Sequence, residues 1–439
     1  MIGICIFPEK KGMTSILELQ FFREEIAEGV FFSQFRNSLF KSNQIGVNFL
    51  DRLSEEKAAP NAFFPLVLSR TSADYPTMRA LNRKLSALYS AGIWDHVGKS
   101  GDLQRFGLCA TAIDDSFAIE HEKVLAELAR TLCGCLFRPV LENGVFPEKN
   151  FEVLKQILID MNNAEINDKA LYAYRRGTEE TYRGEPAAVN AYGEIEEIRR
   201  ITPRSAYEAY TEALRTKNIE ILCVGKGDFS EIREMFREEF RRIDRVPLPR
   251  PENRPSFLKG EPVTVVQPME IAQSKLYLAL KADIKNRYAA RVMCELFGSD
   301  VSSKLFTVVR EKLSLCYYCS SSVDLDKGTM TVESGVEEEN VEKAKEEILR
   351  QLDEIRNGNF TDEELRKIKN SLENAFGAWY DTINNVSNWY TARILENNIE
   401  SPEERLKKLL SVTREEIIEA ACSFRLDTTY VLSAGKENE

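Results

Sequence analysis

His96 and His121 are the only imidazoles in a chain of 439 residues, and they limit the chemistry it can perform. A catalytic zinc takes three protein ligands and keeps a fourth position for water. His121 opens "HEKVLAEL", where Glu122 and Glu127 do not give two ligands and a base on one helical face, so it reads as a surface residue. His96, within "WDHVGKSGD", reads as a structural residue on a strand or hairpin. Cys316 and Cys319 form CxxC inside "SLCYYCSS". On a strand, positions three apart face opposite ways, so these sulfurs are expected to diverge. Cys133 and Cys135 in "LCGCLF" are expected to diverge as well, and no second pair completes a four-cysteine zinc site. The "GKGD" from Gly225 lacks the GxxxxGK-Ser/Thr spacing of a phosphate loop. No cofactor is expected from these residues.

Composition narrows the classes further. The formal net charge is −11, which disfavours a nucleic-acid partner because phosphate binding needs clustered Lys and Arg. Nine cysteines without regular spacing point to a reducing compartment and hence a cytoplasmic protein. The opening "MIGICIFPEKKGMTSILELQ" has no basic n-region, and its apolar patch, Ile2 to Phe7, is too short for a signal peptide or membrane span. Residues 1 to about 20 read as a loosely held extension, with Met13 as an alternative start. No membrane partner is expected.

The elements that would position any site are written twice. "ENGVFPEKNFEVLKQ" from Glu142 and "RNGNFTDEELRKIKN" from Arg356 share Asn143, Gly144, Phe146 and Lys155 with Asn357, Gly358, Phe360 and Lys369 at a constant shift of 214. Each is a turn followed by a helix, and the apolar positions Phe151, Leu154, Leu158 and Met161 map by the same shift onto Leu365, Ile368, Leu372 and Ala375. "ITPRSAYEAYTEAL" before "IEILCVGKGD" is matched by "VTREEIIEAA" before "TTYVLSAGKEN", with Gly225 and Lys226 corresponding to Gly435 and Lys436. Alternating strands, "IGVNFL" and "KLYLAL", stand near the start of each copy.

This pattern predicts an α+β fold of two homologous domains, residues 21–243 and 260–439. Each is a mostly antiparallel sheet with helices layered on one face. A stiff linker over 244–259, carrying Pro247, Pro249, Pro251 and Pro255, would join them as a clam shell.

In the second copy, "FGSDVSSKLFTVVREKLSLCYYCSSS" resembles the insulinase-like (pitrilysin) family of zinc peptidases. The family's turn, Ser-Ser-basic-Leu-Phe helix, Arg and later Tyr correspond to Gly298, Ser302, Ser303, Lys304, Leu305, Phe306, Arg310 and Tyr317. "GEPAAVNAYGEIEEIRRITP" is similar to the family's connection into the last helix of its first half, and the resemblance spans roughly residues 25 to 439. Within the family the chain is similar to a bacterial subgroup named for an association with aminopentanol modification of elongation factor P.

The resemblance implies that HxxEH should stand in "EEKAAPNAFFPLVLSRTSADYP". Anchored on Arg70, Thr71, Tyr75 and Pro76, the three motif positions are Asn61, Phe64 and Pro65. Asn is a poor zinc ligand, Phe accepts no proton and Pro65 has no backbone donor. Asp160 falls at the family's third ligand. These four are therefore degenerate metal-site positions, with no metal ligand and no catalytic residue among them. The resemblance further implies that Arg310 and Tyr317 bind substrate, the guanidinium by fixed donors and the phenol by its hydroxyl.

The function expected from the resemblance is a catalytically inactive homologue, the non-catalytic subunit enclosing a peptide with a zinc-bearing insulinase-like paralogue. Two alternatives remain open: a stand-alone peptide-binding or scaffold homodimer, and a zinc peptidase with an unrecognised ligand set.

Overall fold

The computed structural model describes residues 20–435. The extension expected over residues 1 to about 20 falls outside them apart from Gln20, as does Lys436. Six strands form the first sheet: β1 (Gln20–Ala27), β2 (Val30–Arg36), β3 (Ser42–Arg52), β4 (Gly92–Ser100), β5 (Leu103–Ile113) and β6 (Asn218–Gly225). Their order is β1-β2-β6-β3-β5-β4, and β2–β6 is the parallel pair among antiparallel ones. Five strands form the second: β7 (Val263–Pro268), β8 (Ser274–Lys281), β9 (Tyr318–Asp324), β10 (Thr329–Val336) and β11 (Arg425–Ser433). The order is β7-β11-β8-β10-β9, again with a single parallel pair, β11–β7. The α+β class, the two domains and the mostly antiparallel sheets follow the sequence expectation.

Alternation decides which face of each sheet receives the helix layer. On β3, Ile45, Val47 and Phe49 are buried in a core shared with helices Glu55–Leu68, Val124–Phe137, Pro203–Thr216 and Ser230–Arg241. On β8, Leu276, Leu278 and Leu280 play the same part beneath helices Arg287–Cys294, Val341–Arg356 and Arg414–Ser423. A further helix lies on the other face of each sheet. In the first unit this is Ile383–Leu395, whose Tyr390 ring stacks on Phe21 at 4.3 Å. In the second it is Lys169–Thr181, where Ala173 packs among Tyr277, Ala279, Tyr430 and Leu432. The compact units are consequently interleaved in sequence. The first takes the chain through Asn162, then Val189–Glu252 and Tyr380–Asn397; the second takes Asn163–Ala188, Asn253–Trp379 and the chain from Asn398.

The repeated lysine has a structural meaning. Lys155 donates to the carbonyls of Arg199 (3.1 Å) and Ile201 (3.0 Å), and Lys369 to those of Leu410 (2.7 Å) and Val412 (2.8 Å). Each ammonium thus satisfies carbonyls at a helix–helix junction, just before the Thr202 or Thr413 that caps the next helix with a reciprocal capping box. Phe146 and Phe360, in the two repeated turns, are buried.

Candidate functional site

The helix Glu55–Leu68 runs unbroken through Pro60 and Pro65, so Pro65 sits deep inside it. Asn61 is buried, and its amide Nδ2 donates to Asp51 Oδ2 at 3.2 Å and Gln104 Oε1 at 3.0 Å. Gln104 in turn donates to the carbonyls of Ala58 (2.9 Å) and Ala191 (2.6 Å). The Asp51 carboxylate also pairs with the buried Lys217 ammonium. Phe64 is fully buried, its ring edge-on to Phe49 and Phe106 at 5.8 and 5.6 Å.

A zinc ion does not fit this arrangement. Asn61, at the expected position of one ligand, is an amide already held by two acceptors. Phe64, at the expected position of the base, is a ring in the core, and the residue expected as second ligand is Pro65. A fixed ammonium one residue contact away adds repulsion for any dication. Asp160 is on the exposed side of the helix Phe151–Ala164 and accepts from Gln156 Nε2 at 2.7 Å. The exposed Asp160 and the buried Asn61 thus belong to different environments.

His96 is on β4, as read from the sequence, and its Nε2 lies 2.9 Å from Asn48 Oδ1. Burial, and secondarily the Arg105 charge, push its pKa down to about 3, so the ring is neutral at ordinary pH. His121 is exposed, with a left-handed backbone φ of 58°. Among the described residues no three His, Cys, Asp or Glu side chains are grouped to hold a metal.

Arg310 and Tyr317 stand elsewhere, in the second unit. Arg310 is on a π-helical segment, Leu305–Lys312, with its guanidinium 4.5 Å from the Phe306 ring centre and 3.6 Å from Glu311. Its side chain is 40% exposed. Tyr317 is 60% exposed and donates to Glu337 at 2.6 Å, a bond that raises the phenol pKa.

One sequence reading needs correction here. Cys316 and Cys319 do not diverge, because Cys316 precedes β9 and only Cys319 lies on it. The chain bends at Tyr317 between them, which leaves the two thiols near enough to interact. That interaction, helped by the Ser334 hydroxyl and then the Arg310 charge, draws the Cys316 thiol down to about 7, while Cys319 is pushed up. Sequence inspection missed this because CxxC was read as if both residues were on the strand. The polar row Asn48, His96 and Arg105 on the first sheet was missed too. Its signal was the alternation in "LQRFGLCATAI", which puts Arg105 opposite the core-facing Phe106 and Leu108.

Residues 200–372 match the family described as Peptidase M16 inactive domain. The chain is 28% identical over 398 residues to a probable inactive metalloprotease, YmfF, of Bacillus subtilis strain 168, covering 90% of this chain and 93% of that protein. Its fold is similar to a conserved protein from Enterococcus faecalis V583, with a TM-score of 0.87 at 24% identity over 95% of this chain and all of the other. It is also similar to a peptidase M16 inactive domain from Pseudomonas fluorescens, with a TM-score of 0.74 at 14% identity over 95% of this chain and 99% of the other. With the duplicated α+β units, these likenesses make the chain similar to inactive, insulinase-like proteins of the kind described as Peptidase M16 inactive domain.

Proposed function

We propose that the chain is the non-catalytic subunit of an insulinase-like assembly, enclosing an extended peptide together with a zinc-bearing relative. The observation that carries this reading is a contrast between two sets of side chains. Asn61, Phe64 and Pro65 are buried in packing and hydrogen bonds, whereas Arg310 is part-exposed with guanidinium donors available to a ligand, and Tyr317 is exposed with its hydroxyl held by Glu337. The Arg310 guanidinium can hold a peptide carbonyl without any metal of its own, and the Tyr317 phenol can do so on exchanging its bond to Glu337 for the peptide. Two-domain members of the family resemble half of a four-domain chamber, so zinc from one chain and these donors from another could meet one substrate. A reducing, cytoplasmic setting accords with the described cysteines, all of which are free; no described helix is long and apolar enough to cross a membrane.

The test mixes the chain with an HxxEH-bearing relative from the same cell and follows peptide hydrolysis. A stable mixed dimer is expected, with activity that neither chain shows alone. Arg310→Ala should lower that activity by roughly 100- to 1000-fold, the range found on removing a single transition-state donor, without changing dimer formation. Full activity of the relative by itself would overturn the reading.

A further inference from the structure

On the face of the first sheet turned away from its core, four polar residues stand in a row across four strands. Asn48 of β3 is in register with Glu220 of β6 and Gly107 of β5, and Gly107 is in register with His96 of β4. Arg105, two residues from Gly107 along β5, shares that face. Asn48 ties the row together. Its Nδ2 donates to the Glu220 carbonyl at 3.2 Å, while its Oδ1 receives Arg105 Nη1 and lies against His96 Nε2, each at 2.9 Å.

The charges in this row do not balance. Glu220 is already paired with Arg23, at 2.6 Å, and with Arg250. Arg105 has a neutral amide oxygen as its hydrogen-bond partner, and among the described residues no carboxylate pairs with it. Three guanidinium groups therefore stand near one carboxylate, which pairs with two of them, in a chain whose net charge is −11. Holding a largely desolvated guanidinium without a counter-ion is unfavourable, and burial accordingly lowers the Arg105 pKa. Structural arginines inside proteins normally have an acid beside them.

There is also room beside it. Arg105 faces Gly98 on β4, and the closest atom to a side chain built at Gly98 is Arg105 Nη2 itself, at 4.0 Å. On the other side of Arg105, towards β3 and β6, a crevice of about 10 Å³, room for a single water, is lined by Asn48, Leu50, Arg105, Glu220, Leu222 and Ile394, so the space for a ligand is on the Gly98 side.

We propose that this row is a binding site for a carboxylate, with the free edge of the Arg105 guanidinium taking its two oxygens. A carboxylate matches the fork in charge and in number of oxygens. A phosphate would bring further oxygens and a second negative charge beside Glu220, and only one N–H of the Asn48 amide is left to meet them. The carboxylate could belong to a peptide, as an acidic side chain or C-terminus, or to a small free dicarboxylate. The site is complete within the first unit and does not depend on the mixed dimer proposed above.

The test measures binding to the full chain and to Arg105→Gln by calorimetry, with thermal midpoints recorded for both proteins. The probes are succinate, inorganic phosphate, and a ten-residue peptide with either a free or an amidated C-terminus. Wild type should bind succinate or the free-acid peptide at least tenfold more tightly than Arg105→Gln does. The variant's midpoint without ligand should be unchanged or higher, since an unpaired charge has been removed. Binding of the peptide alone would assign the site to a peptide carboxylate, and binding of succinate alone to a small metabolite. Equal binding to both proteins, no binding of either carboxylate, tighter binding of phosphate, or a variant that melts well below wild type would each overturn the proposal.

Discussion

Asn61→His, Phe64→Glu and Pro65→His together write HxxEH back into the helix Glu55–Leu68, and the triple variant is expected to unfold the first unit rather than create a peptidase. Phe64 is fully buried against Phe49, Phe106 and Tyr210. Truncating such a ring to alanine costs about 3–5 kcal/mol, and a glutamate there adds the penalty of an unpaired buried carboxylate. His at 61 would meanwhile break the amide bridge to Asp51 and Gln104. Urea unfolding followed by circular dichroism should show Phe64→Ala folded with a midpoint well below wild type, and the triple variant without a cooperative transition. A triple variant as stable as wild type would show that the shell still accommodates the old motif.

Asp427→Ala is expected to destabilise the second unit by about 3–5 kcal/mol, the usual cost of removing one partner from a buried ion pair. Asp427 is buried between Lys281 at 3.4 Å and Lys259 at 3.3 Å. Glu185 joins the same cluster, 2.8 Å from Lys327 and 3.9 Å from Lys281. The Lys281 ammonium also donates to the carbonyls of Thr181 and Phe257, which ties the segments around these residues to β8. Burial already lowers the Lys281 pKa, so removing the acid leaves an ammonium that is costly to keep charged. Denaturant midpoints should fall steeply for Asp427→Ala and much less for the double variant Asp427→Leu with Lys281→Met. Equal losses in the two would mean that packing, not charge, is what the cluster supplies.

Much of the fold was legible because duplication is a strong signal. Two apolar helix patterns offset by one constant shift, each with a strand of alternating residues, leave little choice but two similar α+β units. The lysines at 155 and 369 were visible as repeats, although their purpose, capping carbonyls at a helix junction, shows only in space. Helices Lys169–Thr181 and Ile383–Leu395 were not assignable to the second face of a sheet. An amphipathic helix declares that it has an apolar side, not which sheet receives it. The clue in the first was small residues four apart, Ala173 and Gly177, with Gly177 so close to the Tyr277 ring that a Cβ would come within 2.4 Å. At the candidate site, residue types alone carry the expectation that no metal is held, whereas the charge surplus around Arg105 arises from register between strands that no local pattern reveals. Cys316 shows the reverse error, since its strand begins two residues later than the apolar run suggests.

Zinc content and peptide cleavage of the purified chain alone, before and after dialysis against a zinc salt, test the non-catalytic assignment most directly. Elemental analysis should find well under one zinc per chain after a buffer wash, and peptides should stay intact. One tightly held zinc per chain, with cleavage that a chelator abolishes and zinc restores, would contradict it.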